Sequence, residues 1–149
     1  MTVERVAPNT LQAFFEKQVR ETPDGTALYY GDKQYTYAAI EAKANQVARY
    51  LCSHGICGAN NRVGVLGERK PETIISIIGV LKTGAAYVPV DAKFPKERRD
   101  FILVNSGSRL LLSEELYRSG ELEQYDESPI GIQSLPDSLA YIIYTSGST

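Results

Sequence analysis

The chain has 149 residues, with 16 basic and 18 acidic side chains and a formal charge of −2, so it lacks the cationic surplus that a nucleic-acid backbone selects. Apolar residues make up 43% and charged residues 23%, the balance of a globular chain rather than a disordered one. The longest apolar stretch, Ile74 to Leu81, is broken by Ser76 and Gly79 and is too short for a membrane span of ~20 residues; residues 1–20 hold no continuous apolar core of a signal peptide, and the cytoplasm is the expected compartment.

The spacing predicts a first helix from Leu11 to Arg20, with Leu11, Phe14, Phe15 and Val19 on one face and Thr10 as N-cap. Thr22-Pro23-Asp24-Gly25 turns the chain. Ala27–Tyr30 and Gln34–Thr36 flank Gly31-Asp32-Lys33 and read as a hairpin. A second helix spans Tyr37 to Ser53, where Ile40, Ala44, Val47, Ala48 and Leu51 recur at helical spacing. Thr36 is its expected N-cap and Gly55 its stop. The single histidine, His54, falls at the helix end and reads as a capping or surface residue. One histidine excludes a site with several histidine ligands, and no metal site is expected in this span. Cys52 and Cys57, the only cysteines, are too few for a disulfide scaffold or a zinc site and read as two reduced thiols.

From here the pattern alternates. Arg62–Leu66 is a short apolar strand, and Pro71 opens a buried helix that runs to Thr83. Tyr87–Val90 is the next strand, and a helix follows from Pro95 to Ser106-Gly107. Arg109–Leu112 is another strand, Glu114–Arg118 a further helical turn and Leu139–Tyr144 a final strand. Strand and helix in alternation, with apolar strands, predict an α/β fold: a parallel sheet with helices packed on it. Residues 114–137 set Arg118 against Glu114, Glu115, Glu121, Glu123, Asp126, Glu127 and Asp137. This acidic stretch reads as a solvated connection with one short strand, Ile130–Gln133.

Thr145-Ser146-Gly147-Ser148-Thr149 follows the last strand directly. Four hydroxyls and a glycine after a strand suit an anion-binding turn, because hydroxyl and backbone N–H groups can donate to phosphate oxygens. Composition alone favours an ordinary surface turn. Neither G-x-x-x-x-G-K-[ST] nor G-x-G-x-x-G occurs in the chain.

LAYIIYTSGST, Leu139 to Thr149, resembles the start of the phosphate loop of adenylate-forming enzymes, and more narrowly that of nonribosomal peptide synthetase adenylation domains. YTYAAIEAKANQVARYL, Tyr35 to Leu51, and LKTGAAYVPVDAKFP, Leu81 to Pro95, resemble the first and second core motifs in the same order. FFEKQVRETPD, Phe14 to Asp24, is similar to the segment that leads into them. There are departures. Ala39 stands where a glutamate is common, Ala92 where a proline often follows Asp91, and Lys70 where a serine frequently precedes Pro71.

The resemblance implies a ligase that activates a carboxylate, most often an amino acid, with MgATP as acyl-AMP and releases pyrophosphate. The acyl group then passes to the phosphopantetheine thiol of a carrier protein. It implies that residues 1–149 are the N-terminal portion of one adenylation domain, ending inside its phosphate loop. The rest of the large subdomain and the small C-terminal subdomain, with the catalytic lysine, lie beyond. Thr145, Ser146, Gly147, Ser148 and Thr149 would hold nucleotide phosphates, aimed by Tyr144 and the strand before it. No catalytic residue is expected within this span, and the 149 residues alone are expected to be inactive. A sister ligase that makes acyl-CoA, or a non-catalytic half that docks onto a complementary fragment, are the alternatives.

Overall fold

Thr36 shows how local chemistry sets the architecture. In the computed structural model, which describes residues 2–5, 11–131 and 139–143 with side chains for 13–131, Thr36 is extended and its Oγ1 accepts the Ala39 N–H at 3.1 Å. That hydroxyl ends the hairpin of β2 (Thr26–Tyr30) and β3 (Lys33–Thr36) and starts helix α2 (Tyr37–Ser53). With Ala39 at the third helical position, only this half of a capping box can form. Before the hairpin lie β1 (Thr2–Arg5) and α1 (Leu11–Glu21). After α2 come β4 (Arg62–Gly67), α3 (Pro71–Lys82), β5 (Ala86–Asp91), α4 (Lys96–Ser106), β6 (Leu111–Leu112) and α5 (Glu114–Arg118). A 3-10 turn (Glu121–Gln124) and β7 (Leu139–Ile143) complete the chain order. The expected α/β alternation is present. The expected N-cap Thr10 lies outside the described residues.

The main sheet has the order β1-β7-β5-β4-β6. Strands β7, β5, β4 and β6 are parallel, and β1 closes the edge antiparallel to β7. Register runs from Arg62 opposite Ala86 to Gly67 opposite Asp91. Successive side chains point to opposite faces of a sheet, and β4 and β5 have buried or half-buried residues on both. Val63 and Val65 join Ile40, Val47 and Leu51 of α2 and Ile75 and Val80 of α3 in one core. Val88 and Val90 meet Ile102 of α4 in a second. Helices α2 and α3 therefore cover one face and α4 the other.

Four expectations change. Phe14 is 58% exposed while Phe15 packs toward the core; adjacent helical residues point about 100° apart, so α1 buries only one of the two rings. The acidic stretch is not a solvated connection. Leu122 is 1% exposed within the main core, and α2 binds the backbone that follows. The Gln46 and Asn45 side-chain amides donate to the carbonyls of Tyr125 and Glu127 at 3.0 and 2.8 Å. Arg49 donates to the carbonyls of Ser128 and Pro129, each at 3.0 Å. One buried leucine and a row of satisfied carbonyls make this stretch a strap, although its outward side chains are acidic. In the strand expected at Ile130–Gln133, Ile130 and Gly131 have no strand structure, and residues 132–133 lie outside the described residues.

The reading of two reduced thiols is also corrected, since Cys52 and Cys57 form a disulfide. The chain reverses at Gly55, whose φ is +77°, and this brings the two Cα atoms to 4.9 Å. That lies within the range a disulfide requires.

Candidate functional site

Because four strands are parallel, their carboxyl ends share one edge of the sheet, where open α/β sheets bind ligands. Gly67, Asp91, Leu112 and Ile143 end β4, β5, β6 and β7 there. The register of Tyr87 with Tyr141 sets β7 beside β5, with its last residue, Ile143, level with Pro89.

The loops on this edge are held by identifiable bonds. Asp91 Oδ1 accepts the Lys93 N–H at 2.9 Å, and the Asp91 carbonyl accepts the Phe94 N–H at 3.0 Å. The Ala92 N–H donates to the Gly67 carbonyl at 3.2 Å, tying this turn to β4. The Arg98 guanidinium lies 4.8 Å from the centroid of the Phe94 ring, a cation–π contact. Ala92 therefore leaves the turn after Asp91 intact without a proline. Between this turn and the β4–α3 loop is an open depression lined by Gly67, Arg69, Pro89, Lys93 and Phe94.

Lys70 occupies the N-cap of α3, where it makes no side-chain cap bond. Its ammonium instead pairs with Glu68 at 3.4 Å and with Glu114 of α5. Thr73 Oγ1 accepts the Glu68 N–H at 3.2 Å and donates to the Leu66 carbonyl at 3.3 Å. Together these bonds bind the loops after β4 and β6 to each other. The hydrogen bond from Lys70 holds the Glu114 carboxyl below the usual carboxylate range, and the same bond raises Lys70. Behind the loop, Tyr117 shares a 2.7 Å hydrogen bond with Ser76, and burial pushes its phenol well above the usual tyrosine range.

Thr145, Ser146, Gly147, Ser148 and Thr149, with Tyr144, lie outside the described residues. The strand before them ends on the carboxyl edge. His54 caps α2, as its sequence position suggests, and its Nδ1 lies 2.9 Å from the Tyr50 carbonyl. Among the described residues, no group of three or more His, Cys, Asp or Glu side chains is placed to hold a metal ion, and no helix is long and apolar enough to cross a membrane.

Neither the ion pairs of Lys70 nor a second ionic cluster, between α1, α2 and α3, is evident in the sequence. Lys82, in the last turn of α3, is 3% exposed and pairs with Glu16 of α1 and Glu41 of α2. A lone lysine closing a helix that is apolar through most of its length was the available signal.

The sequence profile of the AMP-binding enzyme family matches residues 15–149. The chain belongs to the AMP-binding enzyme family. It is 38% identical over 139 residues to bacitracin synthase 1 of Bacillus licheniformis, a match covering 93% of this chain and 3% of that protein. It is 37% identical over 156 residues to gramicidin S synthase 1 of Brevibacillus brevis, covering 94% of this chain and 14% of that one. The chain thus spans a small part of these relatives. Its backbone superposes with a TM-score of 0.86 on the nonribosomal peptide synthetase FmoA3 solved with AMPPNP bound, at 29% identity over 97% of this chain and 17% of that one. The N-terminal subdomain of Klebsiella oxytoca NpsA, solved with 3-hydroxyanthranilyl-AMSN, gives 0.78 at 25% identity, covering 94% of this chain and 38% of that one. Fold and sequence therefore agree on the N-terminal subdomain of synthetase adenylation domains.

Proposed function

We propose that residues 1–149 form the N-terminal portion of an adenylation domain that activates an amino acid as its acyl-adenylate. In the reaction the carboxylate oxygen attacks the α-phosphorus of MgATP, and the bond to the bridging oxygen breaks, so pyrophosphate leaves. The acyl group then moves to the phosphopantetheine thiol of a carrier protein, and AMP departs. The observation that carries this reading is the family match through residue 149 together with β7 ending on the carboxyl edge of the parallel sheet. Similar structures solved with AMPPNP and with 3-hydroxyanthranilyl-AMSN support it.

Attack of one anion on another requires alignment and charge neutralisation, which preorganised donors supply. Thr145, Ser146, Gly147, Ser148 and Thr149 provide hydroxyl and N–H donors for the phosphates, and Mg2+ enters with ATP. The loops at Gly67–Lys70 and Asp91–Phe94, braced by their own hydrogen bonds and ion pairs, stand on the carboxyl edge where β7 ends. The 149 residues alone are inactive in this reading, since the rest of the domain supplies the substrate pocket and the catalytic lysine.

The test is ATP–pyrophosphate exchange by the synthetase that contains this stretch, run across the proteinogenic amino acids and a set of fatty and aryl acids. Exchange driven by one amino acid or a few is expected. Exchange driven only by fatty acids, followed by CoA thioester formation, would place the chain in the acyl-CoA branch and overturn the amino-acid reading.

A further inference from the structure

Cys52 and Cys57 take no part in the proposed chemistry. Cys52 lies in the last turn of α2, and Cys57 lies in the loop that leads to β4. Both residues are partly exposed, so a small thiol or disulfide can reach them. Backbone bonds hold them together independently of the sulfurs. The His54 and Ile56 N–H groups donate to the Leu51 carbonyl at 3.0 and 2.9 Å, and the Gly55 N–H donates to the Cys52 carbonyl at 3.0 Å. Ile56 is 2% exposed and anchors the turn in the core. The reduced thiols therefore remain neighbours, which favours closure over a lasting adduct with a second molecule.

The same loop is a junction. The Gly58 N–H donates to the Thr83 carbonyl at 2.6 Å, joining it to the corner between α3 and β5. Arg109, just before β6, donates to the Gly55 carbonyl at 3.0 Å and to Asn61 Oδ1 at 3.2 Å. Asn61 in turn donates to the Cys57 carbonyl at 2.9 Å. A chain of this size builds its core without a staple, and a disulfide across five residues closes a short loop, which stabilises less than one closing a long loop. The bond is suited to switching rather than scaffolding.

We propose that Cys52 and Cys57 are a reversible thiol–disulfide switch that sets the rigidity of the loop between α2 and β4. One thiolate attacks a low-molecular-weight disulfide such as oxidised glutathione, forming a mixed disulfide and releasing one glutathione. The second thiolate attacks the protein sulfur of that mixed disulfide, closing the Cys52–Cys57 bond and releasing the other glutathione. The chain gives up two electrons and two protons, and the small disulfide takes them up. A reducing dithiol reverses the sequence.

The experiment equilibrates the purified chain across a series of reduced-to-oxidised glutathione ratios, quenches with acid, alkylates the free thiols and weighs the products. A single transition is expected, with both cysteines alkylated or neither, the unalkylated form lighter by two hydrogens than the dithiol and little glutathione adduct. Amide exchange at residues 54–61 should slow several-fold in the oxidised form, melting should rise by roughly 5 °C, and dithiothreitol should restore the original rates. Cys52→Ser and Cys57→Ser should each abolish the transition. Thiols that stay fully alkylatable in excess oxidised glutathione, a stable mixed adduct, or exchange rates unchanged by oxidation would each overturn the proposal. The dithiothreitol reversal on the unaltered chain keeps the test decisive if a serine variant fails to fold.

Discussion

Gly79 lies inside α3, where a glycine costs ~1 kcal/mol relative to alanine. Its position against α2 accounts for that cost. A Cβ at Gly79 would stand 2.6 Å from Val47 Cγ1, 2.7 Å from Val47 Cβ and 3.2 Å from the Ala44 carbonyl oxygen. Val47 is fully buried, and its Cβ is fixed by the backbone, so no rotamer change relieves the clash. Gly79→Ala must instead push α3 away from α2. Overpacking costs ~1–3 kcal/mol, and a clash with a Cβ and a carbonyl falls at the upper end. Subtracting the gain in helix propensity leaves a net loss of about 1–2 kcal/mol. With a urea slope of ~2 kcal/mol/M, the midpoint should fall by about 0.5–1 M. The assay is urea unfolding followed by far-UV circular dichroism, with the slope checked for constancy. Gly64→Ala is the contrast, because its nearest side-chain contacts are the ends of Leu103 and Leu111, which can yield. A Gly79→Ala chain stabilised by ~1 kcal/mol would show that propensity alone acts there, and the packing argument would be refuted.

Thr36→Ala removes the hydroxyl that caps α2 and should cost ~1 kcal/mol in the same assay, with Thr36→Ser close to the parent. Lys82→Ala leaves Glu16 and Glu41 without their shared cation and should cost ~3 kcal/mol or more, whereas Lys82→Met with both glutamates made Gln should recover much of it. Acid should also weaken the fold. Glu114, Glu123 and Asp126 are all depressed, chiefly by hydrogen bonds from Lys70, Lys43 and Ser128. A carboxyl whose folded value lies below its unfolded one stabilises above the unfolded value and loses that stabilisation as pH falls through the folded one. Melting temperature should therefore decline below about pH 4, and Lys70→Met should make that decline shallower.

Much of the fold was legible because periodicity and stop signals coincide. Ile40, Ala44, Val47 and Leu51 mark the buried face of α2, Thr36 and Gly55 bound it, and Pro71 opens α3 where a missing N–H costs nothing. Strand β1 was not, since Thr2–Arg5 is short and pairs with Leu139–Ile143 from the far end of the chain. The strap was hidden because its binding groups are backbone carbonyls, which leave no mark in an acidic sequence, and its core contacts, buried Leu122 and half-buried Leu116, Tyr117 and Tyr125, follow no regular spacing. The disulfide depends on the left-handed turn at Gly55, so cysteine count alone could not reveal it. At the candidate site, the strands that lead to the carboxyl edge were readable. The bridge from Lys70 to Glu68 and Glu114 was not, because Glu114 is distant in sequence and follows a two-residue strand.

In the proposed function, the residues after β7 bind nucleotide phosphate. The most direct measurement is kcat/KM for ATP in the pyrophosphate exchange of the synthetase that contains this chain, for Thr145→Ala, Ser146→Ala and Gly147→Val. The exposed Glu115→Gln serves as the control. Each lost hydroxyl should cost ~1.5–3 kcal/mol, a fall of roughly 10- to 150-fold. Gly147→Val should do worse, because a branched side chain blocks close approach of the backbone, and the control should match the parent. Parental kinetics for ATP in all three folded loop variants would contradict the assignment and leave residues 145–149 as an ordinary turn.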